Sequence, residues 1–282
     1  MKKQIVTIAA LAMSLNMFAQ QWPVPNQEAK PGTRWWWLGS AVTENDLKWN
    51  LRQFADHGIG AIEITPIYGV QGNEKNNIPF LSPRYMDILK YVNAECKADG
   101  IEFDMATGTG WPFGGPWVPL DESASQMLII DTTVVGKKIK ALDLRPIEKK
   151  RKNTTLVGIY AFSEGKFLKI TTPLVEGTLT TKLPSKGTWR IIALYQKKGV
   201  MAVKRAAPGG AGLVIDHFDK QAVTNYLKHI EEAFEKTGTP YPHTFFNDSY
   251  EVSESDYTPT LFQEFYNRRG YSLEENFDKL VD

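Results

Sequence analysis

Between residues 33 and 106 short apolar strands alternate with amphipathic helices, and this alternation constrains the fold more than any other feature of the sequence. The aromatic run TRWWWLG at residues 33–39 has strand propensity. Thr43-Glu44-Asn45-Asp46 then forms a capping box for a helix that carries Leu47, Leu51 and Phe54 on one face and stops at Gly58. GAIEITPI at residues 60–67 reads as a second strand. Ser82-Pro83 supplies a cap and an N1 proline for a second helix, with Tyr85, Ile88, Leu89, Val92 and Cys96 at helical spacing and Gly100 as its stop. A third strand at residues 101–106 runs into the loop TGTGWPFGGPWVP. Strands separated by helices in this rhythm predict parallel βα units.

The pattern changes between about residues 125 and 205. LVGIYAF, TWRIIALY and VMAVKR are short alternating strands with Gly and Thr turns, which predicts an inserted all-β module. Helical spacing returns after Asp219 with Ala222, Val223, Tyr226, Leu227, Ile230 and Phe234, and Asp216 and Asp219 read as caps for that helix. A fourth strand at residues 243–248 and a helix opened by Thr258-Pro259, with Leu261, Phe262, Phe265 and Tyr266, follow before Gly270. The expected fold class is therefore α/β, the first half of a (β/α)8 TIM-type barrel with an inserted all-β module, in which such a barrel needs about 250 residues before insertions. The expected divisions are residues 21–124 for three βα units, 125–205 for the module and 206–282 for the barrel's continuation; either the chain is the N-terminal portion of a longer protein, or its four units form an open sheet of another kind.

Residues 1–20 carry Lys2 and Lys3, then an apolar run ending in small residues, the pattern of a secretory signal peptide. The run is shorter than the roughly 20 residues that a spanning helix requires, so the protein is expected to be exported, periplasmic or extracellular, without a stable membrane anchor. With 33 basic against 32 acidic side chains, nothing in the charge favours a nucleic-acid partner. One cysteine, Cys96, excludes an internal disulfide and a Cys-based zinc site. There is no phosphate loop, no GxSxG elbow and no HExxH pair, so nucleotide, serine-hydrolase and zinc-protease chemistries are set aside.

In parallel α/β folds working residues gather at the C-terminal ends of strands. That selects the Trp35-Trp36-Trp37 run on the first strand, Glu63 on the second, Asp104 and the Trp111 loop on the third, and Asp248 and Glu251 on the fourth. Indole rings stack on the C–H faces of sugars while carboxylates take their hydroxyls, so this set suits a carbohydrate. Trp36, Glu63, Trp111 and Asp248 are the candidate substrate-binding residues. Glu251, three residues past Asp248, is the candidate catalytic carboxylate of a glycoside hydrolase, a reaction that needs two such groups. Trp35, Trp36 and Trp37 also suit a barrel core, and Trp111 and Trp117 serve equally as sugar contacts or as loop packing. A competing reading is a non-catalytic carbohydrate-binding chain that lacks the second half of the active site.

The stretches TRWWWLGSAVTENDLKWNLRQFADHGIGAIEITPIYG, ATGTGWPFGGPWV and FFNDSYEV resemble the α-L-rhamnosidases of glycoside hydrolase family 106. The resemblance covers nearly all of the chain after the leader. It implies an (α/β)8 catalytic barrel followed by β-rich accessory domains, and removal of terminal α-L-rhamnose from plant-type polysaccharides or glycosides by an inverting, calcium-dependent mechanism using two glutamates. It further implies that Glu251 is one of those glutamates, the acid. The calcium ligands and the second glutamate are not assigned to residues of this sequence.

Overall fold

The computed structural model describes residues 25–247 and 250–281. The predicted leader and Asp248 lie outside the described residues. Four parallel strands, β1 (Gly32–Leu38), β2 (Ala61–Ile67), β3 (Glu102–Ala106) and β12 (Phe245–Phe246), pair in that order. Helices α1 (Glu44–Asp56), α2 (Pro83–Asp99) and α3 (Lys220–Thr237) pack on one face of this sheet. This sheet is open and wholly parallel, the antiparallel strands form sheets of their own, and no closed barrel is formed by the described residues.

The helix ends follow from local chemistry. Thr43 Oγ1 accepts the Asp46 N–H at the start of α1, Ser82 accepts the Tyr85 N–H at the start of α2, and Gly100 closes α2 in the left-handed conformation that glycine adopts at little cost. Asp219 alone caps α3, accepting from the Gln221 and Ala222 N–H groups, with Gly238 at the other end. Asp216 instead accepts the Phe218 N–H in the preceding turn and is almost fully buried, which corrects its reading as a helix cap. Leu47, Leu51, Ile88, Leu89, Val92, Tyr226, Ile230 and Phe234 from the helices meet Trp37, Ile62, Ile64, Phe103 and Met105 from the strands in one apolar layer.

The segment between β3 and α3 carries the antiparallel part. β5 (Ser125–Val135), β10 (Thr188–Lys198), β7 (Thr154–Ser163) and β8 (Lys166–Ile170) form one sheet in that order, and β6 (Lys138–Asp143) pairs with β9 (Thr178–Lys182). Residues 191–194 are buried without alternation because both faces of the sheet are covered. Ile159, Ala161, Ile191 and Ala193 meet Ile139 and Leu179 of the β6–β9 pair, while Tyr160, Phe162, Ile192 and Leu194 face the C-terminal helices. Those helices are α4 (Leu261–Arg269) and α5 (Phe277–Leu280). The expected fourth βα step therefore takes a different form: Leu261, Phe262 and Phe265 rest on the antiparallel sheet and not on the parallel one. The α4 helix also begins after Thr260, without a side-chain cap from Thr258.

The two ends of the antiparallel segment are stitched together. β4 (Gly114–Gly115), inside the glycine-tryptophan loop, pairs with β11 (Leu213–Val214) on the returning chain. Single bridges join Trp111 to Lys204 and Ser123 to Ile215. VMAVKR thus makes bridges and not the continuous strand its pattern predicts. A Cβ on Gly114 would overlap the backbone of Leu213 and Val214, and one on Gly110 would overlap Lys204 and Arg205, so these glycines permit the close approach.

Candidate functional site

Period-two geometry divides the tryptophan run between two faces of the parallel sheet. Trp35 and Trp37 turn toward the helices, where Trp37 is 1% exposed and Trp35 packs edge-on against Phe54. Arg34 and Trp36 turn to the opposite face, and Trp36 is 42% exposed. That face carries no helix from the described residues.

Register places Arg34 beside Glu63 and Glu63 beside Asp104, so one lateral row of charged side chains crosses three strands. Arg34 Nε and Nη2 donate to the two Glu63 carboxylate oxygens at 3.0 and 3.3 Å, and Thr65 Oγ1 donates to Glu63 Oε1 at 2.8 Å. Two-point pairing of this kind fixes orientation as well as charge. The Arg34 guanidinium also lies 5.3 Å from the Trp36 ring and 4.6 Å from the Phe246 ring, a cation held between two aromatic faces. Asp104 accepts the Thr244 N–H at 2.8 Å, and His243 Nδ1 stands 3.4 Å from it.

Trp111 brings the third-strand loop to this group, its ring centroid 5.5 Å from that of Trp36. Three of the predicted residues, Trp36, Glu63 and Trp111, are thus joined, through Arg34, in one patch. Trp117 is not part of it, because its ring stacks on His229 at 4.4 Å and lies between Phe80 and Tyr226 in the apolar layer. Trp117 packs the loop.

Glu251 is exposed, in the loop after β12. Its neighbour Val252 packs against Met201, Val203 and Val214, and Tyr250 sets its ring edge-on to His217 at 4.7 Å. Among the described residues no hydrogen bond, ion pair or ring contact joins Glu251 to the Trp36 patch. Arg34, His217 and Tyr250 were not singled out from the sequence; the Asp216-His217 pair directly after β11 is the local signal that marks this turn. Burial lowers the His217 pKa, which favours the neutral ring, and raises that of Asp216. Asp216 is 2% exposed, so in this arrangement no substrate reaches it.

A groove of about 810 Å³ lies elsewhere, between the start of α3 and α4, lined by Phe218, Tyr257, Leu261, Glu264 and Arg268. None of the predicted site residues lines it. Among the described residues no group of three or more His, Cys, Asp or Glu side chains converges as a metal shell would require. No chemical step is assigned to a calcium ion.

Glu63 and Trp36 lie within their strands on the helix-free face, and Trp111 reaches them from the loop after β3. Glycoside hydrolase family 106, described as alpha-L-rhamnosidase, matches residues 23–156 and 148–280. The chain belongs to this family. A protein of Formosa agariphila named "Putative beta-glucuronidase" is 26% identical over 88% of this chain and 25% of its own length. The solved structure of a rhamnosidase from Novosphingobium sp. PP1Y superposes with a TM-score of 0.64 at 15% identity, over 91% of this chain and 42% of that one, and shows the same fold. The chain thus spans a quarter of the first relative and less than half of the second.

Proposed function

We propose that this chain supplies the first four strands of a (β/α)8 catalytic barrel that removes terminal α-L-rhamnose from a plant-type polysaccharide or glycoside. The observation that carries the reading is the patch of Trp36 and Trp111 beside the Arg34–Glu63 pair on the helix-free sheet face. Exposed indoles present flat apolar surface to a sugar ring, and the charged row presents hydrogen-bonding groups to its hydroxyls.

In this reading Glu251 is the general acid that protonates the leaving oxygen. A second carboxylate activates water on the opposite face, about 6.5–9.5 Å away, and the product sugar is inverted. Asp248 binds sugar hydroxyls or orients Glu251. The protein acts outside the cytoplasm once residues 1–20 are removed, so amino-terminal sequencing of the exported form should begin at Gln21. No helix of the described residues is long and apolar enough to cross a membrane.

The test is release of nitrophenolate from 4-nitrophenyl α-L-rhamnopyranoside, with the corresponding β-D-glucuronide alongside and the product anomer read by NMR. Turnover of the rhamnoside to the inverted sugar supports the proposal. Binding of L-rhamnose by calorimetry without turnover would replace it with the carbohydrate-binding reading, and hydrolysis of the glucuronide alone would change the substrate.

A further inference from the structure

The chain returning from the antiparallel part, residues 201–207, is threaded between the glycine loop and the end of β2. Its burial alternates, with Met201 and Val203 inward and Ala202 and Lys204 outward. Lys204 and Trp111 exchange both backbone hydrogen bonds, at 2.9 and 2.6 Å. Residues directly opposite in such an antiparallel pair project their side chains from the same face. Lys204 therefore rises on the side of the indole that touches Trp36.

Arg205 follows, and its carbonyl accepts the Tyr68 N–H at 3.1 Å, just past the end of β2. Its φ is +57°, in the left-handed region where glycine or asparagine is less strained. That backbone is held by its close approach to Gly110 and by the Tyr68 hydrogen bond. Lys204 and Arg205 are exposed, and neither has an acidic partner among the described residues. The charge of Arg34 is already committed to Glu63. The rim thus offers two uncommitted cations on a segment whose backbone is bonded to Trp111 through Lys204 and to Tyr68, itself 43% exposed, through Arg205.

Resting on the sugar-binding reading of this rim, we propose that Lys204 and Arg205 form an anion-recognising subsite, so that the preferred glycan carries a carboxylate or sulfate group beside the sugar held by the indoles. Guanidinium and ammonium groups bind such oxyanions through short charge-assisted hydrogen bonds, and a carboxylate matches the arginine fork in two-point fashion.

The experiment titrates the full chain with methyl β-D-glucuronoside, methyl β-D-glucoside and glucose 6-sulfate at low and high salt, reading tryptophan fluorescence. It is repeated for Lys204→Ala and Arg205→Gly, with aryl rhamnoside hydrolysis measured in parallel. The glucuronoside should bind about tenfold more tightly than the glucoside, a preference that high salt and either substitution removes. Arg205→Gly should melt no lower than the parent, because glycine accepts the positive φ, so its lost selectivity cannot be put down to unfolding. A sulfate bound as tightly as the glucuronoside supports recognition by charge, and a weaker sulfate supports recognition of the planar carboxylate. Equal binding of charged and neutral sugars overturns the subsite and leaves the sugar-binding reading standing. Loss of all sugar binding together with all hydrolysis overturns that reading itself.

Discussion

The guanidinium of Arg34 on β1 lies 4.6 Å from the ring centre of Phe246 on β12, although β2 and β3 stand between those strands. In a flat sheet three strand spacings would hold the two backbones about 14 Å apart. The contact is made by the length of the side chains, the Arg34 guanidinium and the Phe246 ring leaning toward each other over the helix-free face. Arg34 is thus tied to Glu63 on one side and to an aromatic ring on the other.

Arg34→Ala should therefore cost about 1–3 kcal/mol of stability, since it leaves the Glu63 carboxylate with one of its partners removed in a half-buried position. Urea unfolding reads the loss. A double-mutant cycle with Glu63→Gln should return a coupling energy well above that of an exposed pair such as Lys228–Glu232, and an additive result would show that the pair does not hold the sheet.

Glu251→Gln should lower glycoside turnover roughly 10²- to 10⁴-fold, which is about 3–5 kcal/mol of barrier, with little change in melting temperature because the side chain is exposed. Undiminished hydrolysis by this variant would remove Glu251 from the mechanism.

Trp36→Ala and Trp111→Ala should each weaken sugar binding by about tenfold while leaving the core intact, because Trp36 projects away from the apolar layer that Trp37 fills. Trp37→Ala supplies the contrast, with an expected loss of about 3–5 kcal/mol in stability. Calorimetry and thermal melts separate the two kinds of effect, and a large melting loss from Trp36→Ala would assign it to the core instead.

Gly114 has no positive φ, so its requirement is one of space alone. Gly114→Ala should push β4 away from β11 and destabilise the chain by at least about 1–3 kcal/mol, the usual cost of overpacking against groups that cannot swing aside. Denaturant titration of this variant would show no shift if the two ends of the antiparallel part were loosely apposed.

Burial raises the pKa of Asp216, so its folded value exceeds its unfolded value of 3.8. The sign follows: its contribution to stability is fully present below that unfolded value and is lost as pH rises through the folded one. Asp216→Asn keeps an acceptor for the Phe218 N–H and cannot ionise, so it should melt above the parent at pH 7, with the gap closing as pH falls toward 4. Melting curves across that range check it, and a gap that widens on acidification would reverse the assignment.

Local signals made much of the parallel half legible. Thr43, Ser82-Pro83 and Gly100 act on groups within four residues of themselves, and the structure places each where its pattern indicates. What escaped depends on distant partners. Leu261, Phe262 and Phe265 have helical spacing whichever sheet they meet, and the apolar face made by Tyr160, Phe162 and Ile192 decides that they rest on the antiparallel one. Arg34 carries no periodic mark inside an aromatic run, and its role appears only when register sets it beside Glu63. The union of Trp36 with Trp111 joins β1 to the loop after β3 and could not be read from spacing, and Trp117 differs from Trp111 in meeting Phe80, Tyr226 and His229.

The stitching of Trp111 to Lys204 and of β4 to β11 makes the antiparallel part a cassette clasped at its base. Changes of length inside such a cassette leave the spacing of the parallel strands untouched, so that region is free to diversify while the rim keeps its shape. The clasp itself is the part that cannot drift, because the same few backbone bonds that close it also seat Trp111 beside Trp36.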